Sequence, residues 1–367
     1  RAGIGTGTHF FMKRVILFFL LELCLCIFAA VQAQIKTYQT YKQNQQPPVI
    51  DGKYDDVAWN SVEWSGDFIQ REPNDGAKPS QDTKFKILFD DDNLYILIRA
   101  LDSVPGKIVR RLSRRDNKDG DWLAVSIDSY DDKQTAFTFG ITSAGVKFDF
   151  MLVNDSRNDP TWDAVYYAAT GIDALGWTAE IRIPLSQLRF AKANKHTWGL
   201  NVFRYIERKQ ELSFWQPIPI TAPGLVSLYG QLQGLDGIKP RRQIELLPYL
   251  SSNATYDKKE EGNPFETGKK YSATAGLDGK IAITNDLTLN FTINPDFGQV
   301  EADPSVVNLT AFETFYPEKR PFFVEGKNIF NFKLTGADSD NNMNMLFYSR
   351  RIGRAPQYQI IPDSGIY

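Results

Sequence analysis

Hydrophobic and polar positions along this chain alternate in short runs separated by turn residues, which is the period-two signature of β-strands. Lys84 to Phe89 leads through the acidic turn Asp90, Asp91, Asp92, Asn93 into Leu94 to Ala100, a hairpin signal. Further strands are predicted at Trp122 to Ile127, Ala136 to Ile141, Lys147 to Leu152, Trp177 to Ile183 and Trp198 to Tyr205. Pro184 closes its strand because proline has no N–H for the ladder, and Pro184 to Leu188 then reads as one short helical turn. Many short strands with little helix predict an all-β protein whose first part is a β-sandwich.

The pattern changes near Lys239, Pro240, Arg241 and Arg242. Beyond this basic junction the runs lengthen: Ile244 to Ser252, Tyr271 to Thr284 and, after Asn285 and Asp286, Leu287 to Asn294. In the last run Leu287, Leu289, Phe291 and Ile293 alternate with Thr288, Asn290, Thr292 and Asn294. One face is apolar and the other polar, which suits either a half-buried strand in water or a barrel strand facing lipid on one side and a lumen on the other.

The N-terminal pattern is of another kind. Met12, Lys13 and Arg14 precede an apolar stretch from Val15 to Ala30, interrupted by Glu22 and followed by Val31, Gln32, Ala33 and Gln34. This is the layout of an export signal cleaved between Ala33 and Gln34, and the stretch is short for a retained membrane span. Residues 1–11 lie ahead of the first methionine and read as an upstream remnant. The remaining organisation is a linker over 34–46, a sandwich over 47–240 and a second region over 241–367.

Composition narrows the chemistry. Both cysteines, Cys24 and Cys26, lie inside the signal, so the mature chain has neither disulfides nor thiolate ligands. Lysine plus arginine total 42 against 44 acidic residues, a balance that argues against a nucleic-acid partner. His196 is the only histidine after the signal, and no phosphate loop, dinucleotide fingerprint, zinc helix or nucleophile elbow occurs. Paired carboxylates such as Glu313 with Glu318, or Glu318 with Glu325, leave glycoside cleavage open without singling out a pair.

Four pieces occur in order: PPVIDGKYDDVAWNSV (Pro47 to Val62), DDDNLYILIRALD (Asp90 to Asp102), GDWLAVSID (Gly120 to Asp128) and GWTAEIRIPLSQLRF (Gly176 to Phe190). Together they resemble a family 9 carbohydrate-binding module. The resemblance implies a two-sheet sandwich that binds glycan ends or short saccharides, with structural calcium in some members. A sugar site wants a flat apolar ring face and planar polar groups around it. Trp162, in the polar segment Asn158 to Asp163, is the candidate platform, with Arg99, Asp149, Asn154, Asp155 and Arg157 as polar partners; packing of Trp162 over the end of the sandwich is the other reading. Trp59, Trp122 and Trp177 fall in strand patterns and are expected in the core. Asp116, Asp119 and Asp121 around Gly120 form one candidate calcium cluster and Asp90 to Asp92 another, with solvated loop acids as the alternative for both.

The stretch NPDFGQVEADPSVVNLTAFETFYPEKRPFFVEGKNIF (Asn294 to Phe330), with FYSRRIGR (Phe347 to Arg354), resembles the start of the outer-membrane barrel that follows such a sugar-binding domain in Gram-negative envelope proteins. That resemblance implies an antiparallel barrel, incomplete here, with Tyr249, Tyr256, Tyr271 and Phe297 as girdle residues. The expected function is carbohydrate capture at the outer membrane, with the sandwich periplasmic or at the surface and lipid around the barrel. An envelope assembly protein with a non-binding sandwich, and a glycoside hydrolase, are the alternatives.

Overall fold

A computed structural model describes residues 35–44, 46–240, 244–256, 268–283 and 287–295, and the single positions Glu318, Phe323 and Ser349. Strands β1 (Thr37–Gln39) and β2 (Ile69–Glu72) precede the hairpin of β3 (Thr83–Phe89) and β4 (Asn93–Leu101). The first region continues with β5 (Trp122–Asp128), β6 (Ala136–Thr142), β7 (Lys147–Val153), β8 (Arg157–Asp159), β9 (Tyr167–Asp173) and β10 (Gly176–Pro184). It ends with β11 (Lys195–Ile206), β12 (Glu211–Phe214) and β13 (Gly230–Asp236). The predicted short turn after Pro184 is a 3-10 turn over Leu185–Gln187.

Turn chemistry fixes the first hairpin. Asp90 accepts hydrogen bonds from the backbone N–H groups of Asp92 and Asn93 at 2.8 and 2.7 Å, and from the Tyr95 hydroxyl at 2.7 Å. An aspartate that satisfies its own turn in this way sets the register of both strands.

Two sheets result. One runs β1-β13-β11-β5-β6-β7-β8, with β12 pairing both β11 and β2; the other runs β3-β4-β10-β9. Their inner faces supply one continuous core, with Phe85, Ile87, Ile96, Ile98, Trp177 and Ile181 from the second sheet against Val125, Ile127, Phe139, Ile141, Trp198 and Val202 from the first. Arg204 of β11 crosses between them, fully buried, donating to the carbonyls of Asp82 (2.8 Å) and Leu101 (2.7 Å) and to the Thr83 hydroxyl (3.0 Å). Both outer faces are also covered. Phe214, Ile218, Val226 and Tyr229 pack on Ala124, Phe148 and Phe203, while Ala58, Trp59 and Val62 pack on Leu88, Tyr95 and Leu97.

The segment 34–46, expected to be a linker, instead contributes β1, which pairs in parallel with β13 and buries Tyr38. Three residues are too few to display a period, so the sequence pattern does not reveal this strand.

The second region holds a three-stranded antiparallel sheet, β14 (Ile244–Tyr256), β15 (Lys269–Ala282) and β16 (Thr288–Ile293). Its register places Ile244, Leu246 and Leu250 on the same face as Leu277, Ile281, Leu289, Phe291 and Ile293. That face is solvent-exposed, with Leu250 79% and Leu246 56% accessible. The other carries Glu245, Ser251, Asp278, Lys280 and Thr292. Among the described residues this is an open sheet, not a closed barrel. Gln187 donates to Glu245 at 2.9 Å and Arg189 to Thr288 at 3.1 Å, joining the sandwich to the polar face.

The signal segment with its Ala33 and Gln34 junction, Phe297, Glu313 and Glu325 lie outside the described residues, as does nearly all of the Asn294 to Phe330 motif. Within it Glu318 is buried and accepts a hydrogen bond from Ser349, a residue of the second motif.

Candidate carbohydrate-binding groove

The first of the four sequence pieces builds one wall of a groove. Gly52 has φ +87°, a conformation that side chains rarely adopt, and a Cβ there would collide with the Thr170 backbone. Gly171 of β9 meets Gly52 from the other side, so two glycines let the chain lie directly on the sheet. Glu180 of β10 anchors it. This carboxylate has no exposed surface, and it accepts from the N–H groups of Asp51 (3.0 Å) and Gly52 (2.9 Å) and from Trp59 Nε1 (3.1 Å). Burial pushes its pKa up to about 7, against the pull of those three donors.

The anchored segment becomes a wall. Gln46, Pro47, Pro48, Val49 and Ile50 face Lys147, Tyr167, Ala168 and Arg182 across a groove of about 620 Å³. Tyr167, at the start of β9, keeps 50% of its surface accessible. Arg182, its cross-strand partner on β10, lays its guanidinium on the Tyr167 ring at 4.1 Å. Such stacking orients both groups at once. Lys147, at the start of β7, donates to the Tyr166 carbonyl at 3.0 Å, and burial followed by repulsion from Arg115 lowers its pKa. The groove therefore offers a ring face, prolines, a guanidinium and an ammonium.

Beside it lies a charged cluster. Arg115 donates to Asp149 (2.6 Å), Asp163 (2.5 Å) and the Ala164 carbonyl (2.8 Å), and its guanidinium sits 5.9 Å from the Tyr166 ring centre. Asp149 also accepts from the Ala164 N–H at 2.6 Å. Burial raises its pKa to about 6, opposed by that N–H and by Arg115.

The residues expected to form one sugar site are dispersed. Trp162 packs against Phe137 and Phe139, with ring centres 5.1 and 5.4 Å apart, as a partly buried lid on the core. None of the six lines the groove; Asp149 lies on the same side of β7 as the lining residue Lys147 and interacts with its charge. Arg99 is buried on the outer face of the second sheet, paired with Asp173 at 2.6 Å and stacked under Tyr54 at 5.2 Å. Asp155 caps the turn at Val226–Leu228, accepting from the N–H groups of Leu225 and Ser227 and from the Ser227 hydroxyl. Although burial works against it, these bonds hold its pKa below the ordinary value. Asn154 is exposed in the preceding turn with φ +51°, and Arg157 is exposed on β8.

The three acids grouped for calcium also part company. Asp116 accepts from the Asp149 N–H, Asp119 pairs with Arg111 at 2.7 Å, and Asp121 is buried and accepts from the Glu207 N–H at 3.1 Å. Adjacent aspartates in an irregular loop point to different neighbours, and among the described residues no three acidic, histidine or cysteine side chains converge to hold a cation. Asp90 is committed to its own turn, and Asp91 pairs with Lys42 at 2.7 Å. Sequence reasoning missed Glu180, Tyr167 and Arg182, although Glu180 and Arg182 lie within the quoted piece GWTAEIRIPLSQLRF. The signal available was Glu180 and Arg182 within the apolar strand WTAEIRI, since charged residues there need partners or a function.

Residues 50–213 match the family described as carbohydrate family 9 binding domain-like, and residues 240–364 match a domain of unknown function, DUF5916. No curated protein matches the chain. Among solved structures, a family 9 carbohydrate binding module from Caldicellulosiruptor kristjanssonii in complex with glucose shares 21% identity, with 56% of this chain and 97% of that one covered and a TM-score of 0.41. The same kind of module from that organism in complex with cellotriose gives 22%, 56% and 95%, with 0.39. A Bacteroides uniformis protein described as carbohydrate-binding gives 14%, 55% and 100%, with 0.44. Residues 50–213 of the sandwich that carries the groove are thus similar to the carbohydrate family 9 binding domain-like family.

Proposed function

We propose that the sandwich captures carbohydrate in the groove between Pro47–Ile50 and Tyr167, without cleaving it, as the ligand-binding part of an outer-membrane protein. The observation that carries this reading is the pairing of a half-exposed aromatic ring with an arginine and a lysine in one groove of about 620 Å³. A pyranose has an apolar C–H face for the ring and hydroxyls for the charged donors, so both halves of the sugar are met. The family match over residues 50–213 supports the same class of ligand.

The second region supports the membrane part of the proposal. A sheet whose exposed face is built of Leu246, Leu250, Ile281, Leu289 and Ile293, backed by Glu245, Ser251 and Lys280, has the apolar-out, polar-in arrangement of an outer-membrane strand set. Tyr256 and Tyr271 meet at one end of that face with their hydroxyls 3.2 Å apart, as a girdle would have them.

Calorimetric titration of the chain with a panel of oligosaccharides tests the capture reading. Binding is expected, with Tyr167→Ala weakening it about tenfold, the effect of roughly 1.4 kcal/mol of lost stacking. Trp162→Ala serves as the comparison, because Trp162 lies over the core. Absence of binding to every glycan, or loss with Trp162→Ala and not with Tyr167→Ala, overturns this site.

A further inference from the structure

Resting on the capture reading, we infer that the groove selects an acidic saccharide, recognising the carboxylate of a uronic-acid unit. The lining residues include two cations, Lys147 and Arg182, and no aspartate or glutamate. Four other arginines of the sandwich are neutralised, Arg99 by Asp173, Arg111 by Asp119, Arg115 by Asp149 and Asp163, and Arg208 by Asp102, whereas Arg71 and Arg204 spend their donors on carbonyl and hydroxyl oxygens. Among the described residues neither groove cation has a carboxylate within ion-pair distance. The acids nearest to them are engaged. Glu180, two positions before Arg182 on the same face of β10, is saturated by Asp51, Gly52 and Trp59, while Asp149 and Asp163 both hold Arg115.

The donors are also placed for use. Arg182 sits over Tyr167, its guanidinium 4.1 Å from the ring centre, and remains partly exposed to the groove. Lys147 gives one N–H to Tyr166 and keeps two. A planar guanidinium accepts a carboxylate in two parallel hydrogen bonds, a geometry that a sugar hydroxyl cannot match. Tyr167 then receives the ring of the same unit while the acid group turns to Arg182 and Lys147.

The test compares an oligogalacturonide, its carboxyl-reduced counterpart and a sulfated oligosaccharide of similar length by calorimetry on the whole chain. The oligogalacturonide is expected to bind about ten to one hundred times more tightly than the reduced oligomer, the range for hydrogen bonds to a charged group. Its affinity is expected to fall with added salt, and Lys147→Gln and Arg182→Gln are each expected to narrow the gap. Lys147 is partly exposed and its substitution should leave folding intact, so the result does not hang on Arg182 alone. Equal or tighter binding of the reduced oligomer overturns acid selection while leaving carbohydrate capture standing, and tighter binding of the sulfated one overturns the carboxylate assignment. If no saccharide in any arm binds, the capture reading itself fails and takes this inference with it.

Discussion

Glu180 sits in the middle of an apolar strand with three N–H donors aimed at it and, among the described residues, no cation within ion-pair distance. Burial favours its neutral form, and a folded pKa of about 7 against an ordinary 4.5 means that the folded state holds the proton more tightly than the unfolded chain. Its contribution to stability is complete below about pH 4.5 and is lost as pH rises towards 7, with a total on the order of 3 kcal/mol. Denaturant titrations across this range should therefore show wild type losing stability relative to Glu180→Gln between pH 4.5 and 7. Parallel profiles for the two proteins would show that Glu180 does not titrate there. Asp149, raised to about 6, shifts both proteins alike and cancels in the comparison.

At the level of elements, the wall of the groove depends on how closely a loop can approach a sheet. Gly52→Ala adds a methyl group to a left-handed residue against the Thr170 backbone, so it is expected to cost about 1–3 kcal/mol and to weaken saccharide binding by displacing Pro47–Ile50. Unchanged binding in this variant would show that the wall does not contribute. The strands of the sandwich were legible because long runs such as LYILIRA and WTAEIRI alternate or are apolar throughout, and the aspartate turn between β3 and β4 announces itself. The short strands β1, β2, β8 and β12, with three or four residues each, carry too little pattern to be seen, and the seven-residue strands β9 (YAATGID) and β13 (GQLQGLD) were missed as well because neither alternates cleanly. The site was less legible for another reason. Tyr167 and Arg182 become neighbours only through the pairing of β9 with β10, and Pro47 meets them only through Gly52 and Glu180, so the charged residues in WTAEIRI signal a need for partners without saying which. Trp162 drew attention as an aromatic in a polar loop, yet the two phenylalanines that receive it lie on another strand, β6.

For the whole molecule, the two regions handle apolar surface in opposite ways. The sandwich buries it on the inner face of each sheet and covers the outer faces with loops, whereas the β14-β15-β16 sheet leaves it exposed, mostly on one side, with Leu247 exposed on the other. Leu250 and Ser251 are neighbours on opposite faces of β14 and make a matched pair for the membrane proposal. Leu250→Arg is expected to cost about 2–4 kcal/mol in a bilayer and to deplete the protein from outer-membrane fractions, while Ser251→Arg is tolerated. Equal recovery of both variants would argue against lipid on the apolar face.

The Glu180 anchor also bears on when the groove comes into being. Its bonds to Asp51 and Gly52 span 129 and 128 residues of chain. A polypeptide emerging from its N-terminus presents the wall long before the anchor exists, and closing so long a loop must precede any gain from it. Ligand competence is thus a property of the finished sandwich alone, and a ligand that binds there stabilises only molecules that have completed folding.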